Sequence, residues 1–69
     1  MKLSARNQLA GSVESIDHGV VTTTLRIRLQ GGETITSSIT RAAAEDLALS
    51  VGSEVIAVIK SSDVIVAVP

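Results

Sequence analysis

Two short polar clusters stand at opposite ends of the chain, Ser4-Ala5-Arg6-Asn7 near the start and Lys60-Ser61-Ser62-Asp63 near the finish. Each supplies one cation with hydroxyls and backbone N–H groups beside it. That is the donor set a small doubly charged oxyanion requires, because its oxygens only accept hydrogen bonds. Arg6 and Lys60 together match a charge of two. If the fold brings the two ends together, Ser4, Arg6, Lys60 and Ser61 can surround such an ion with donors alone. Phosphate near neutral pH carries a proton that needs an acceptor, so an all-donor cage disfavours it, whereas sulfate differs only in size. Asn7 and Asp63 read as Asx-type turn residues that aim these donors, with the Asp63 carboxylate turned away from the anion.

The rest of the composition removes competing chemistries. A formal net charge of −1, with six Lys and Arg against seven Asp and Glu, lacks the electrostatic footprint of a general nucleic-acid binder. The chain contains no Phe, Trp or Tyr on which bases could stack, so nucleic acid is not an expected partner. It has no cysteine, a single histidine (His18) and no paired carboxylates in a recognisable motif, which argues against zinc and against an enzyme. No apolar run approaches the roughly 18 residues that span a bilayer. Met1-Lys2-Leu3-Ser4 leads into polar residues rather than a signal-peptide core, so a soluble cytoplasmic protein is expected.

These donors must be positioned by a small scaffold. A single domain over residues 1–69 is expected, and a chain of this size buries only about 60% of the surface it exposes when unfolded. With 45% hydrophobic residues and no disulfide to help, it is expected to bury part of its surface in a homo-oligomer. Residues 9–17 read as a first strand ending at the Asp17-His18-Gly19 turn. Val21, Thr23, Leu25, Ile27 and Leu29 alternate with Thr22, Thr24, Arg26, Arg28 and Gln30, the period of a half-buried strand. Gly31-Gly32 predicts a primed hairpin turn into a third strand over residues 33–39.

Thr40 predicts an N-cap for a helix over residues 41–49. Residues 54–59 are almost continuously apolar, as in a strand buried on both faces, and Val64-Ile65-Val66-Ala67-Val68 predicts a last strand that Pro69 stops. The order of elements predicts an all-β fold: a five-stranded OB-like barrel with one short helix between strands 3 and 4.

Ser4-Ala5-Arg6-Asn7-Gln8-Leu9 with Gly11, His18-Gly19-Val20-Val21, Gly31-Gly32, Ile39-Thr40 before the helix and Lys60-Ser61-Ser62-Asp63-Val64 run nearly end to end. In this combination the chain resembles the molbindins, small cytoplasmic molybdate- and tungstate-binding proteins. Their fold also occurs as a domain of molybdate-responsive regulators and molybdate transporter ATPases. The resemblance implies an OB-like barrel, a hexamer built as a trimer of dimers, and oxyanion sites between subunits. It implies molybdate or tungstate as the bound ligand, no organic cofactor, and no direct bond from protein to metal.

The resemblance also implies that a neighbouring subunit completes the cage with Thr40 and the backbone N–H groups of Ala42 and Ala43. A helix start favours an anion there through its unpaired N–H groups and dipole. Some relatives carry a hydroxyl residue at the position of Ala43, where this chain offers backbone alone. A second class of oxyanion site near a three-fold axis would involve His18, Gly19 and Val20. Arg26 and Arg28 are expected on a solvated or subunit-contact face. The function expected is storage and homeostasis of molybdate; the alternative is a regulatory oxyanion-sensing module that acts on a transporter or transcription factor.

Overall fold

A computed structural model describes residues 1–69. Four strands form one antiparallel sheet: β1 (Asn7–His18), β2 (Thr22–Leu29), β3 (Thr34–Thr40) and β4 (Glu54–Ile59), in the order β3-β2-β1-β4. A helix α1 (Arg41–Asp46) joins β3 to the β4 arm, and a 3-10 turn, Ser61–Asp63, follows β4. The period-two pattern of β2 does what it predicts. Thr23, Leu25 and Ile27 are buried, while Thr22, Thr24, Arg26 and Arg28 are exposed. Leu25 and Ile27 join Val13 in the core, with Ile16, Leu29, Ile35, Ile39 and Val55 packed around them. Each such side chain contributes about 1.5–3 kcal/mol when fully buried, which makes this a small core.

The turns depart from expectation for local reasons. Of the Gly31-Gly32 pair, only Gly32 has a positive φ, +94°. Its N–H donates to the Leu29 carbonyl at 3.0 Å, and the Leu29 N–H donates to the Glu33 carbonyl at 2.8 Å. This is a three-residue loop closed by one left-handed glycine, instead of the two-residue primed turn that Gly31-Gly32 predicts. The helix stops at Asp46, three residues early. Leu47 caps it and Ala48 adopts φ 51°. The Ala48 N–H donates to the Glu45 carbonyl and the Leu49 N–H to the Ala44 carbonyl, at 2.9 and 3.1 Å. These two bonds form a Schellman motif with alanine in the place usually taken by glycine, so no glycine marks the helix end in the sequence.

Two expectations about the C-terminal third are corrected. β4 is not buried on both faces: Val55, Ala57 and Ile59 are half-buried, while Ile56 and Val58 are 51% and 42% exposed. The fifth strand does not form within the chain. Ile65, Val66 and Val68 are 93%, 84% and 87% exposed, and the last backbone hydrogen bond runs from the Val64 N–H to the Ser61 carbonyl. The sheet therefore has four strands, and a closed five-stranded barrel is not formed by one chain. Its curl brings the two edge strands to opposite sides of an open groove of about 320 Å³. Ile35 and Ile39 of β3 line one side, Val55, Ala57 and Ile59 of β4 the other, and Leu25 and Ile27 form the floor.

Candidate anion site

The pairing of β1 with β4 decides where the two polar clusters lie. Asn7 is opposite Ile59, so Arg6 and Lys60 follow directly beyond the last paired residues of adjacent strands. Asn7 does not form the expected Asx turn. Its Nδ2 donates across the strands to the Ile59 carbonyl at 3.2 Å and pins the two segments together. The Gln8 side chain donates to the Ala5 carbonyl at 2.9 Å and shapes the turn that carries Arg6. On the other strand, the Asp63 N–H donates to the Lys60 carbonyl at 2.9 Å, which closes the 3-10 turn bearing Ser61. Ser4, Arg6, Lys60 and Ser61 are all exposed.

The charge pairing singles out the same end of the molecule. Arg26 and Arg28 both face Glu14, Arg28 in direct hydrogen bond, and Arg41 Nε donates to Glu45 at 3.0 Å. The expected solvated face of Arg26 and Arg28 is thus an exposed ion-pair cluster. Lys2, Arg6 and Lys60 have no carboxylate within ion-pairing distance. Arg6 and Lys60 leave the sheet side by side, and Lys2 belongs to the N-terminal segment that leads into Arg6. Unpaired cations beside hydroxyls and free N–H groups can take an oxyanion without displacing an internal partner. No group of three or more His, Cys, Asp or Glu could hold a metal ion directly.

Thr40, Ala42 and Ala43 lie elsewhere. Thr40 pairs with Thr22, and Thr23 pairs with His18, so the start of α1 sits at the far end of β1. At about 3.3 Å per residue, β1 separates the two ends by on the order of 35 Å along its path. The structure therefore does not bring Thr40, Ala42 and Ala43 to Arg6 and Lys60 within one chain. It brings them to His18, Gly19 and Val20 instead. The Arg41 N–H donates to the Val21 carbonyl at 2.7 Å, and Arg41 Nη1 donates to the Gly19 carbonyl at 3.2 Å.

The first-turn donors are unequal. The Ala43 N–H donates to Thr40 Oγ1 at 3.1 Å, so the cap occupies it, and Ala42 keeps the N–H without a partner in the chain. His18 Nδ1 lies 2.9 Å from the hydroxyl of the fully buried Thr23. Arg41, which the sequence did not single out, sits beside Val20, Thr40 and Ala42 in a shallow depression, its guanidinium held by the Glu45 carboxylate one turn on and by the Gly19 carbonyl.

Residues 3–66 match the TOBE domain family. The chain belongs to that family. Among its TOBE relatives, the "Probable molybdenum-pterin-binding protein" of Haemophilus influenzae is 46% identical over 68 residues, covering 99% of each chain. The fold is similar to that of MopII from Clostridium pasteurianum in an apo form, with a TM-score of 0.93 and 42% identity over 97% of this chain and all of that one. It is also similar to the cytoplasmic molybdate-binding protein ModG in its molybdate-bound form, with a TM-score of 0.96 and 46% identity. This chain spans 49% of the length of that ModG chain. No helix is long and apolar enough to cross a membrane.

Proposed function

We propose that this TOBE protein binds molybdate or tungstate and stores it in the cytoplasm without catalysis at sites shared between copies of the chain. One observation carries the reading. Arg6 and Lys60, free of internal carboxylates, emerge side by side where β1 meets β4, with Ser4 and Ser61 next to them. That is a half-cage made of donors. The other proposed donors, Thr40 with the N–H groups of Ala42 and Ala43, lie at the opposite end of β1 and so must come from a neighbouring chain. Ala42 offers a free N–H, and Thr40 can donate its hydroxyl proton while its oxygen still accepts from Ala43. The kinship with the molybdate-binding protein ModG and with the "Probable molybdenum-pterin-binding protein" of Haemophilus influenzae supports the same ligand. His18, Gly19 and Val20, with Arg41 beside them, form the proposed second class of site.

A homo-oligomer is proposed on equally local grounds, and the resemblance to the molbindins implies that it is a hexamer built as a trimer of dimers. Residues 64–68 are an aliphatic, mostly β-branched segment that pairs with no strand of their own chain, and Val64 leaves the Ser61–Asp63 turn in an extended conformation. The groove between β3 and β4 is aliphatic and bordered by two unpaired strand edges. One added strand at the usual spacing of about 4.8 Å from each neighbour closes it. In this reading residues 64–68 of a second copy fill the groove as the fifth strand and complete the barrel, which removes both open edges.

Equilibrium dialysis against molybdate, with sulfate and phosphate as competitors, tests the function. The expected result is at least one dianion per pair of chains, with phosphate a poor competitor. Less than that ratio at saturation, or phosphate competing as well as molybdate, contradicts storage at an all-donor site.

A further inference from the structure

We propose that the anion held by Lys60 and Ser61 clamps the hinge through which residues 64–68 cross to a second chain, so that occupancy slows the exchange of chains between oligomers. This rests on the oxyanion site and the strand crossing proposed above, and adds that the two are one device.

The hinge is the short stretch between β4 and the exposed tail. Lys60 and Val64 flank it in extended conformations, with φ −62° and ψ 138° at the first and φ −86° and ψ 118° at the second. Between them the 3-10 turn is held by two backbone bonds, a sound one of 2.9 Å from Asp63 to Lys60 and a long one of 3.3 Å from Val64 to Ser61. No side chain caps the turn, and none of its residues is buried. By contrast, the residues just before it are fixed. Ile59 is paired with Asn7 and accepts the Asn7 side-chain bond, so the hinge starts from a rigid point beside Arg6.

The donors proposed for the anion fall on both sides of that boundary. Arg6 belongs to the rigid side, and Lys60 and Ser61 belong to the hinge. An ion bonded to all three ties the weak turn to the rigid strand pair and holds the exit direction of residues 64–68. When the ion leaves, only the two turn bonds hold that direction. Withdrawal of the crossed strand requires the turn to reopen, so it proceeds from the unoccupied site. At a free anion concentration 100 times Kd, the unoccupied fraction is about 1%, and withdrawal slows about 100-fold.

The test mixes 15N-labelled with unlabelled protein and follows the appearance of mixed oligomers by native mass spectrometry. One sample has no molybdate and the other has molybdate at 100 times the Kd measured by dialysis on the same preparation. The expected result is about 100-fold slower mixing with the anion, together with slower amide hydrogen exchange at residues 60–64. Equal mixing rates in a sample whose dialysis shows bound molybdate overturn the clamp and leave the binding site standing. Dialysis that shows no bound molybdate overturns both. Mixing too slow to observe without the anion also overturns the clamp. Ser62→Gly loosens the turn without touching a proposed donor. It is expected to speed mixing in the absence of the anion and to keep the slowing ratio, and an unchanged rate without anion removes the turn as the hinge.

Discussion

Replacing Arg6 or Lys60 by alanine separates ligand recognition from folding. Neither side chain is buried or ion-paired in the chain, so neither substitution breaks an internal ion pair or opens the core. Exposed substitutions of this kind change stability by about 0.5 kcal/mol or less. Against the anion, each cation makes charge-assisted hydrogen bonds that contribute about 1.5–3 kcal/mol. At about 1.4 kcal/mol per factor of ten, Arg6→Ala and Lys60→Ala each weaken binding roughly 10- to 150-fold. Their effects are coupled because both cations face one ion, so the double substitution does not follow the simple product.

The matched control is Arg26→Ala. It removes the same formal charge but from the Glu14 cluster on the outer face of the sheet, where Arg26 Nε lies 3.8 Å from the carboxylate. An exposed pair contributes about 1 kcal/mol or less to stability, and affinity for the anion is expected to hold. Titration calorimetry with molybdate gives the affinities, thermal melts give the stability, and native mass spectrometry gives the oligomer. Full affinity in both site variants, or an equal loss in Arg26→Ala, refutes a specific cage at the β1–β4 end.

Three further outcomes follow from the fold. Gly11→Ala is expected to destabilise by about 1–3 kcal/mol in chemical denaturation, because its Cβ would stand 2.5 Å from the Arg28 carbonyl oxygen of the paired strand; an unchanged midpoint contradicts that close approach. Ala48→Gly is expected to raise the melting temperature, since an alanine in the left-handed region is disfavoured by about 1–2 kcal/mol, partly offset by the greater freedom of glycine when unfolded. Val66 is 84% exposed in its own chain, so Val66→Asp is expected to reduce oligomer mass in light scattering, with about 1.5–3 kcal/mol of apolar burial lost per chain; an oligomer of unchanged mass contradicts the crossing strand.

The sequence made the first three strands legible because each pattern has one solution. Thr22, Thr24, Arg26 and Arg28 of β2 must face out if Thr23, Leu25 and Ile27 face in, and Thr40 as N-cap is a local contact between residues three apart. What it could not convey was the identity of a strand's neighbour. The aliphatic run at residues 64–68 has the β-branched composition of a strand, yet composition says nothing about whether the pairing edge belongs to the same chain. The same ambiguity explains β4. A continuous apolar run describes a strand covered on both faces, and it cannot distinguish cover supplied within the chain from cover supplied by another copy. Asn7 was misread because an asparagine beside a turn can bond locally or across a strand, and only the β1–β4 register decides between them.

For the candidate site, the residues were legible and their grouping was partly so. Arg6 and Lys60 were expected to meet and lie on adjoining strand ends, while the separation of Thr40, Ala42 and Ala43 from them follows from the length and direction of β1. The capture of the Ala43 N–H by Thr40 is a consequence of the cap geometry that composition alone does not reveal.

The most direct measurement is an anomalous difference map at the molybdenum edge from crystals soaked in molybdate. The peak is predicted between Arg6 and Lys60 of one chain and Thr40 of a neighbouring chain, at hydrogen-bonding distance from Ser4 and Ser61. A peak remote from Arg6 and Lys60, or one enclosed by a single chain, contradicts a cage shared between copies.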